Sequence, residues 1–334
     1  MFGFKTINGT SGDDLLIGTP SHDRINGFAG NDTIIGKAGD DTIDGGSDDD
    51  LIVGQEGNDN LTGGGNRDKF AMTVGEGTDT VTDFGGVGRG NNPPQAVIDE
   101  IDTLQLFGER LTAENMLLTQ TGSDLLITFE EVEDTKILLE NFQLEDLENL
   151  PNGIGNILFD GQQEIQDDFD VFNAEQIRSR VFNPNRVTFL NDLDNTTQGF
   201  EDSNDVINGQ GGNDILLGRS GDDLLRGNDG DDVLLDGGAG EDRLDGGVGN
   251  DGLFGGADAD QFVLRAGDGA DTIFDFEDGI DSLLLADGLE FEQLGINSSN
   301  GDTLISVTDT DELLASLVGV DANDIGAEDF STLV

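Results

Sequence analysis

The segment from Gly9 to Ala71 decides the fold, and it reads GTSGDDLLI, GTPSHDRIN, GFAGNDTII, GKAGDDTID, GGSDDDLIV, GQEGNDNLT, GGGNRDKFA. In all seven nonapeptides position 1 is Gly, position 6 is Asp and position 8 is a large apolar residue. The position-6 aspartates are Asp14, Asp23, Asp32, Asp41, Asp50, Asp59 and Asp68. The position-8 residues are Leu16, Ile25, Ile34, Ile43, Ile52, Leu61 and Phe70. A period kept at three positions indicates a structural repeat.

The same period returns between Phe200 and Val263. This second block reads FEDSNDVIN, GQGGNDILL, GRSGDDLLR and GNDGDDVLL, then one extra residue that we assign to Asp236, then GGAGEDRLD, GGVGNDGLF and GGADADQFV. Position 8 runs from Ile207 to Phe262. The position-6 aspartates of this block are Asp205, Asp214, Asp223, Asp232, Asp242, Asp251 and Asp260.

Elementary chain geometry explains the nine-residue period. Positions 7 to 9 form a short strand whose alternation turns residue 8 inward and residues 7 and 9 outward. The six preceding residues reverse the chain, and Gly accepts the unusual dihedrals that such a reversal requires. One nonapeptide is half a coil, so repeats n and n+2 stack on the same edge about 4.8 Å apart. A flexible Gly/Asp linker is the alternative, but a linker has no use for an apolar eighth residue.

Stacking brings the position-6 aspartates and the loop carbonyls into ladders along each edge. Such carboxylate ladders repel themselves unless cations fill them, and oxygen-only ligands in a flexible loop favour Ca²⁺ over the stricter octahedral Mg²⁺. These residues closely resemble the hemolysin-type calcium-binding repeat of the RTX family. The resemblance implies a right-handed parallel β-roll, with each Ca²⁺ between loops n and n+2, held by both position-6 aspartates and by loop carbonyls. Phe200 at position 1 and the Asp236 insertion depart from the pattern, so the first and fifth loops of the second block are the least certain sites.

The whole unit is duplicated. The two blocks continue as GEGTDTVTDF from Gly75 and GDGADTIFDF from Gly267, which we interpret as degenerate eighth half-coils with Asp79 and Asp271 at position 6. Further on, DTLQL parallels DSLLL, and SDLLITF parallels GDTLISV. The tails alternate like antiparallel strands, and they resemble the β-rich caps that follow RTX blocks. The fold prediction is therefore an all-β chain of two right-handed parallel β-rolls, each followed by a β-rich capping segment.

The predicted boundaries follow from these patterns. They are an N-terminal lead (1–8), a first roll (9–84), a first cap (85–162), a linker (163–199), a second roll (200–276) and a second cap with the C-terminal tail (277–334). An extra loop in the first cap, GVGRGNNPPQ from Gly86, is expected to be mobile. In the linker, Asn173 followed by Gln176 predicts a short capped helix with Ile177 and Val181 on one face.

Charge and composition exclude several function classes. The chain has 71 Asp+Glu against 15 Lys+Arg, a formal net charge of −56, which disfavours nucleic acid and anionic membranes as partners and attracts cations. Without Cys there is no disulfide, thiolate metal site or cysteine nucleophile, and one histidine (His22) excludes multi-histidine metal sites. No run approaches 18 apolar residues, and no apolar core of a signal peptide is present near the N-terminus, so we expect a soluble chain without membrane insertion.

Three functions compete. The leading hypothesis is a secreted, non-catalytic calcium-binding module with a structural, adhesive or interaction role. The second is an enzyme that acts on polysaccharide through an acidic groove in a cap. The third, an ice-binding solenoid, needs a regular Thr/Asn ladder, yet the outward position-9 residues run Ile17, Asn26, Ile35, Asp44, Val53 and Thr62.

The remaining charged side chains have less specific interpretations. His22 falls in a turn, and we expect a solvated residue rather than half of a nucleophile–base pair. A basic cluster of Arg178, Arg180 and Arg186 is expected to pair with the acidic rolls rather than to grip an acidic ligand.

Ion number and export complete the expectations. Three inter-loop sites on one edge, two on the other and one more from the eighth half-coil predict five or six ions per block, hence about ten to twelve Ca²⁺. The C-terminal AEDFSTLV resembles the uncleaved signals of type I secretion substrates, which implies an extracellular protein and the type I machinery as a partner. The alternative is that Phe330, Leu333 and Val334 only complete the second cap's core. No final extracellular target follows from the sequence.

Overall fold

The computed structural model describes residues 4–89 and 92–333, and it is almost entirely β. The chain divides into two compact units, the first ending at Val171 and the second beginning at Phe172. The strands of unit 1 are β1 (Lys5–Asn8), β2 (Leu15–Ile17), β3 (Asp23–Ala29), β4 (Thr33–Ala38), β5 (Thr42–Ser47), β6 (Leu51–Glu56), β7 (Asn60–Gly65), β8 (Lys69–Thr73), β9 (Gly77–Val81), β10 (Thr103–Phe107), β11 (Met116–Thr121), β12 (Asp124–Phe129), β13 (Val132–Leu139), β14 (Asn149–Leu150), β15 (Ile154–Gly155), β16 (Ile157–Phe159) and β17 (Phe169–Val171). A one-turn helix α1 (Gln95–Ile98) and a 3-10 turn (Leu144–Asp146) complete unit 1.

Unit 2 repeats this plan. Its strands are β18 (Val187–Phe189), β19 (Thr196–Gln198), β20 (Val206–Asn208), β21 (Ile215–Ser220), β22 (Leu224–Asp229), β23 (Leu234–Ala239), β24 (Arg243–Val248), β25 (Gly252–Ala257), β26 (Gln261–Leu264), β27 (Asp271–Ile273), β28 (Ser282–Leu285), β29 (Leu294–Ser299), β30 (Asp302–Val307), β31 (Glu312–Leu317) and β32 (Phe330–Thr332). Two 3-10 turns lie at Phe291–Gln293 and Ala327–Asp329.

Successive strands of unit 1 alternate between two parallel sheets. One sheet runs β1-β3-β5-β7-β9 and the other runs β2-β4-β6-β8-β10-β16. Each strand pairs with the strand one full coil away, as in Ile25↔Ile43 and Ile34↔Ile52, an offset of 18 residues. The predicted stacking of repeats n and n+2 is therefore confirmed, and the fold is a parallel β-roll.

The position-8 side chains form the core of this roll. Ile25, Ile34, Ile43, Ile52 and Phe70 are fully buried, in columns contributed by both sheets. Burying one such side chain stabilises the fold by about 1.5–3 kcal/mol. Because only one residue in nine supplies this energy, the core is thin.

Each roll ends in a cap that mixes two pairing modes. In unit 1, β10 and β16 continue one sheet in parallel, while β13 joins β9 in parallel and then pairs antiparallel with β12, which pairs antiparallel with β11. Unit 2 matches: β28 continues one sheet in parallel, and β29, β30 and β31 form the antiparallel meander. The predicted β caps are confirmed, but their first strands are parallel rungs rather than antiparallel strands.

The prediction of a helix near Asn173 is wrong, because no helix lies between β17 and β18. Asn173 and Gln176 make a single closed turn, in which the Gln176 N–H donates to the Asn173 carbonyl at 2.8 Å. The chain then extends along β19, where the Val181 N–H donates to the Gln198 carbonyl. This bond to β19 takes the place of a helical hydrogen bond, and Ile177 is 68% exposed while Val181 is buried.

The extra residue of the second block is Val233, not Asp236. Leu235, rather than Leu234, pairs with Leu216 and is fully buried, so Leu235 takes position 8 and Asp236 takes position 9. Val233 is 62% exposed, and its N–H and that of Leu234 both point to the Asp214 carbonyl, at 2.9 and 3.4 Å. The insertion is a bulge at the start of the strand, which keeps the apolar side chain inside.

The loop from Gly86 and the C-terminal segment were also singled out in the sequence. The extra loop from Gly86 begins with a buried Val87 and leads to α1, while its residues 90 and 91 lie outside the described residues. At the C-terminus, β32 pairs in parallel with β28, and Leu333 packs with Val263 and Leu284, whereas Val334 lies outside the described residues. In the ranges described, none of the helices has the length and apolar character of a membrane span.

Candidate metal sites

Every loop of both rolls places its position-6 aspartate at the start of a strand. The sequence-predicted site residues that are buried, with at most 8% exposure, are Asp23, Asp32, Asp41, Asp50, Asp59, Asp68, Asp79, Asp205, Asp214, Asp223, Asp232, Asp242, Asp251, Asp260 and Asp271. Asp14, in the first loop, is half-buried. Burial of so many carboxylates is costly unless positive charge compensates them.

From the second aspartate of each ladder onward, one carboxylate oxygen is fixed by the N–H of the aspartate in the preceding coil. The N–H of Asp32 donates to Oδ1 of Asp50 at 2.7 Å, and the N–H of Asp50 donates to Oδ1 of Asp68 at 2.8 Å. The same bond repeats along four ladders: Asp14–Asp32–Asp50–Asp68–Asp102, Asp23–Asp41–Asp59–Asp79, Asp205–Asp223–Asp242–Asp260–Asp281 and Asp214–Asp232–Asp251–Asp271. Stacking therefore brings the predicted aspartates together in pairs.

The second oxygen, Oδ2, has no partner in most loops. Oδ2 atoms that are buried without a hydrogen bond belong to Asp32, Asp41, Asp50, Asp59, Asp68, Asp214, Asp223, Asp232, Asp242 and Asp251. These oxygens face the position-1 glycine of their own loop. A Cβ added to Gly27, for example, would lie 2.2 Å from Oδ2 of Asp32 and 2.3 Å from the Gly45 carbonyl oxygen of the next coil.

This arrangement fits Ca²⁺. A side-chain oxygen and a main-chain carbonyl converge on one small space, and both are hard ligands of the kind that Ca²⁺ prefers. Among residues 4–89 and 92–333, no group of three or more Asp, Glu, His or Cys side chains converges as a ready metal site. A cation held by two position-6 aspartates and loop carbonyls remains the prediction for these loops.

Backbone strain in the loops is also concentrated at these sites. Position 2 adopts left-handed dihedrals even where it is not Gly, with φ of 83° at Phe28, 88° at Lys37, 71° at Gln55 and 90° at Arg219. A side chain at such φ is unfavourable and persists only where the surroundings impose it. Position 4 is left-handed at Gly in these four loops, and elsewhere also at Asp48, Asn66 and Asp258.

Several ladder carboxyls have a raised pKa, as Asp59 and Asp79 show. Burial is the main cause and repulsion from neighbouring aspartates adds to it, although a backbone hydrogen bond from the adjacent loop opposes both. The pKa of Asp59 rises to about 7 and that of Asp79 to about 8. In unit 2 the pKa of Asp223 and that of Asp232 rise to about 7, for the same reasons. Without a cation, these sites hold negative charge poorly.

Two ladder residues were missed by the sequence analysis. Asp102 and Asp281 are buried, and their Oδ1 atoms accept the N–H groups of Asp68 and Asp260 at 2.8 and 3.0 Å. The signal was present, because Asp102 and Asp281 begin DTLQL and DSLLL, where Leu104 and Leu283 are buried like position-8 residues. Longer intervening segments, 34 and 21 residues between paired aspartates, concealed the period.

A second ladder, at position 5, was also missed. There the Asn31 N–H donates to Oδ1 of Asp13 at 2.9 Å, and the Asp49 N–H donates to Oδ1 of Asn31 at 3.1 Å. In unit 2 the Asp231 N–H donates to Oδ1 of Asn213 at 3.2 Å. The signal was the frequency of Asn and Asp at position 5, and the direction of donation is opposite to that at position 6.

The first loop of the second block differs from its sequence assignment. Gly199, not Phe200, takes position 1, because its added Cβ would meet Oδ2 of Asp205 and the Gly218 carbonyl, as in the other loops. Phe200 is therefore an inserted residue, and this loop has ten residues. Its Phe200 N–H donates to Oδ2 of Asp205 at 2.7 Å.

Two arginines of the basic cluster contact aromatic rings. The guanidinium of Arg178 lies 3.9 Å from the ring centroid of Phe182, and that of Arg180 lies 4.6 Å from that of Phe200, so both make cation–π contacts. The predicted pairing of the cluster with the acidic rolls stays a prediction. His22 is a half-exposed loop residue, and its Nδ1 lies 2.9 Å from the Asp40 carbonyl oxygen.

Comparison with known proteins agrees with the repeat. The model of the RTX calcium-binding nonapeptide repeat matches four times, at residues 8–43, 35–70, 201–234 and 234–262. No curated protein matches the chain.

Two solved structures show similarity. The first is the extracellular lipase LipA from Serratia marcescens, at 17% identity over 96% of this chain and a TM-score of 0.29. The second is the AlgE6R3 subunit of the Azotobacter vinelandii mannuronan C5-epimerase, at 23% identity over 40% of this chain and 72% of that one, with a TM-score of 0.18. This chain spans 40% of the length of the lipase.

Proposed function

We propose that this chain, which carries RTX calcium-binding nonapeptide repeats in both of its units, is a secreted protein whose rolls fold when Ca²⁺ binds and then serve a structural, adhesive or interaction role. The observation that carries the proposal is the set of ten Oδ2 atoms that are buried without a partner. An unsatisfied buried carboxylate destabilises a fold. Bound Ca²⁺ supplies the positive charge and the adaptable oxygen coordination that these loops need.

Folding is coupled to the metal in this proposal. The core supplies one apolar side chain per nonapeptide, whereas the internal loops also bury aspartates such as Asp59, whose pKa is raised. Calcium binding then contributes folding free energy directly, since the ligand cage does not exist in the unfolded chain. With the predicted ten to twelve ions, the loaded protein still has a large negative charge.

An extracellular location follows from the same chemistry. Proteins with RTX repeats are typically secreted, and extracellular binding modules have dissociation constants on the order of 10⁻⁴ to 10⁻³ M. A chain that stays unfolded at low calcium suits a type I channel and folds after export. The absence of Cys is compatible with this route because no oxidation step is needed.

A non-catalytic role is the form of the proposal that the side chains favour. The ladder carboxylates are engaged with backbone N–H groups, as in the Asp32–Asp50 pair, so they are not placed to act as a general acid and base. His22 faces a backbone carbonyl in a half-exposed loop rather than a nucleophile.

Circular dichroism in calcium and in chelator tests the folding claim. We expect a β spectrum in saturating Ca²⁺ and loss of most of that signal in excess chelator, with recovery when calcium is restored. Magnesium at the same concentration is the matched control and should restore little. A β spectrum that chelator leaves unchanged would refute calcium-driven folding.

Export needs a separate test, because the C-terminal residues also belong to the fold. Deleting residues 329–334 would remove β32 and the buried Leu333, which mixes folding with export. Replacing the exposed Glu328, Ser331 and Thr332 by Lys keeps the buried contact and changes the acidic, hydroxyl-bearing surface. We expect the triple variant to fold in calcium but to lose secretion through a type I exporter. Normal secretion of that variant would place the signal elsewhere.

A further inference from the structure

In three nonapeptide loops Oδ2 accepts hydrogen bonds from donors of its own loop, unlike the ten loops whose Oδ2 has no partner. The last ladder residues, Asp102 and Asp281, also accept an N–H at Oδ2, from Gly85 and Glu277. In the loop from Gly9, the N–H and the hydroxyl of Thr10 both donate to Oδ2 of Asp14, at 2.6 and 2.8 Å. In the loop from Gly18, the N–H and hydroxyl of Thr19 donate in the same way to Oδ2 of Asp23, at 2.5 and 2.9 Å. The third is the loop from Gly199, where the N–H comes from Phe200.

The backbone conformation of position 2 distinguishes the loops with an unpartnered Oδ2 from those in which Oδ2 has a donor. Each of the ten unpartnered Oδ2 atoms belongs to a loop whose position 2 is left-handed: Phe28, Lys37, Gly46, Gln55, Gly64, Gln210, Arg219, Asn228, Gly238 and Gly247. Thr10, Thr19 and Phe200 are not left-handed. Thr is β-branched and disfavours positive φ, so in the first two loops its N–H remains turned toward the aspartate.

Position 4 follows the same division in unit 1. The residues at this position in the third to seventh loops are left-handed, at Gly30, Gly39, Asp48, Gly57 and Asn66, whereas Gly12 and Ser21 in the first two loops are not. Two backbone positions and one side-chain oxygen thus change together, which separates two loop conformations.

We propose, on the basis of the proposed calcium function, that these three loops are self-capped and bind no cation, because N–H and O–H donors occupy the oxygen that the metal would need. Each self-capped loop begins a ladder: Asp14 and Asp23 are the first rungs of unit 1, and Asp205 is the first aspartate rung of its ladder in unit 2. None of the three has an aspartate at the same place in the coil before it, since Oδ1 of Asp205 accepts the N–H of Asn185 instead. There is therefore no second carboxylate with which to share a cation, and internal donors satisfy Oδ2 there. Oδ1 of Asp23, which lacks a partner, marks the same end of the ladder.

The proposal changes the expected number of ions. Sites remain only between consecutive left-handed loops of one ladder, where the residues at positions 2 and 4 have positive φ. The degenerate eighth loops belong to this class, because Gly75 and Gly77, and Gly267 and Gly269, are left-handed. This gives four sites in unit 1 and five in unit 2, nine in all, whereas twelve would form if the self-capped loops also took part.

Equilibrium dialysis of the full chain against Ca²⁺, with metal analysis, tests the count. Thr10→Gly removes the hydroxyl and permits a left-handed position 2, so the variant should bind ten ions instead of nine. Thr10→Ser keeps the donor and should stay at nine. The reciprocal change, Gln55→Thr, should remove the two sites that its loop shares, leaving seven, whereas Gln55→Gly should keep nine.

Anomalous diffraction from calcium-loaded crystals locates the ions independently of any variant. The self-capped loops should hold none. Twelve ions in the unmodified chain, or calcium density beside Asp14 or Asp23, would overturn this inference while leaving calcium-driven folding intact. Absence of saturable calcium binding would instead refute the proposed function itself.

Discussion

Substitution of Asp59 by Asn should have opposite effects with and without calcium. Asp59 is a middle rung: the Asp41 N–H donates to its Oδ1 at 2.7 Å, its own N–H donates to Asp79, and its Oδ2 has no partner. Asn preserves the shape and the Oδ1 acceptor. It replaces the orphaned oxygen by an amide N–H₂ that can donate to loop carbonyls, and it removes the charge.

Without calcium the variant should be more folded than the unmodified protein. Burial raises the pKa of Asp59 from its usual 3.8 to about 7, so the ionised carboxylate at pH 8 is destabilising by about 4 kcal/mol at most. Solvent screening reduces this value, and about 2 kcal/mol is a realistic gain on removing the charge. That gain multiplies the folded-to-unfolded ratio in chelator about thirtyfold.

In calcium the variant should be less stable than the unmodified protein. The Asp59 loop is shared by two sites, and each site contributes about 2.7 kcal/mol when free calcium is a hundred times its dissociation constant. Losing both outweighs the gain from charge removal, so the variant should be less stable by about 3 kcal/mol, and unit 1 should melt roughly 6–12 °C lower.

Thermal melts followed by circular dichroism, in saturating calcium and in chelator, measure both signs. Protein concentration is set by amino-acid analysis, because the chain has no Trp or Tyr. Asp44→Asn is the matched control, since it removes the same charge from an exposed position-9 residue outside the ladder. If Asp59→Asn lowered stability in both conditions, or matched Asp44→Asn, the orphaned oxygen would not be the reason for metal dependence.

Three further outcomes are expected. Ile43 is fully buried, so Ile43→Ala should lower the free energy of unfolding in calcium by about 2–5 kcal/mol. Ile17 is 44% exposed, so Ile17→Ala should change it by less than about 0.5 kcal/mol. Equal losses of the two variants in denaturant titrations would contradict the core assignment. The pKa values of the folded carboxyls are raised, to about 6 for Asp50, about 7 for Asp68 and about 8 for Asp79. Because the folded state then binds protons more tightly than the unfolded chain, the calcium-free fold should be most stable near pH 4 and lose stability as the pH rises through those values. Dichroism in chelator at pH 5 and pH 8 measures the direction of the change, and a stronger β signal at pH 8 would contradict the prediction. Asn31→Ala removes the acceptor of the Asp49 N–H and should lower the free energy of unfolding by about 0.5–1.5 kcal/mol. Asn31→Asp keeps an acceptor and should be nearly neutral. Thermal melts of the two variants side by side test this difference.

The period predicted most of the roll because three positions of the repeat answer separate physical demands. Gly at position 1 lies against an aspartate and a carbonyl, where a Cβ does not fit; Asp at position 6 joins consecutive coils; the apolar residue at position 8 fills the core. These demands are local, so nine residues are enough to reveal them. The same locality explains the parallel between the two caps, whose β12 and β30 occupy matching places.

The predictions that were wrong concern segments whose local sequence is compatible with two structures. The letters VLLD allow either Leu234 or Leu235 inside, and only pairing with the neighbouring coil selects Leu235. Asn173 and Gln176 form a turn of the kind that begins a helix, but the following segment bonds to β19 at Val181 instead of continuing as a helix, so tertiary context overrides propensity. Asp102 lies 34 residues from its ladder partner, beyond the reach of a nine-residue period.

The two ladders give the roll a reason to fold cooperatively. At position 6 each loop donates its N–H to the following coil, and at position 5 each loop accepts an N–H from the following coil, as in Asp32 and Asn31. Every internal loop is therefore bonded in both directions, and a cation between two loops stabilises both. In a solenoid whose stability is the sum of repeat and nearest-neighbour terms, such shared bonds place much of the free energy in the interfaces. Calcium loss at one site then weakens two coils at once, which makes the melting of a unit steep rather than gradual. Variants of middle rungs such as Asp59 should consequently cost more than the same change at Asp14, where only one neighbouring coil contributes.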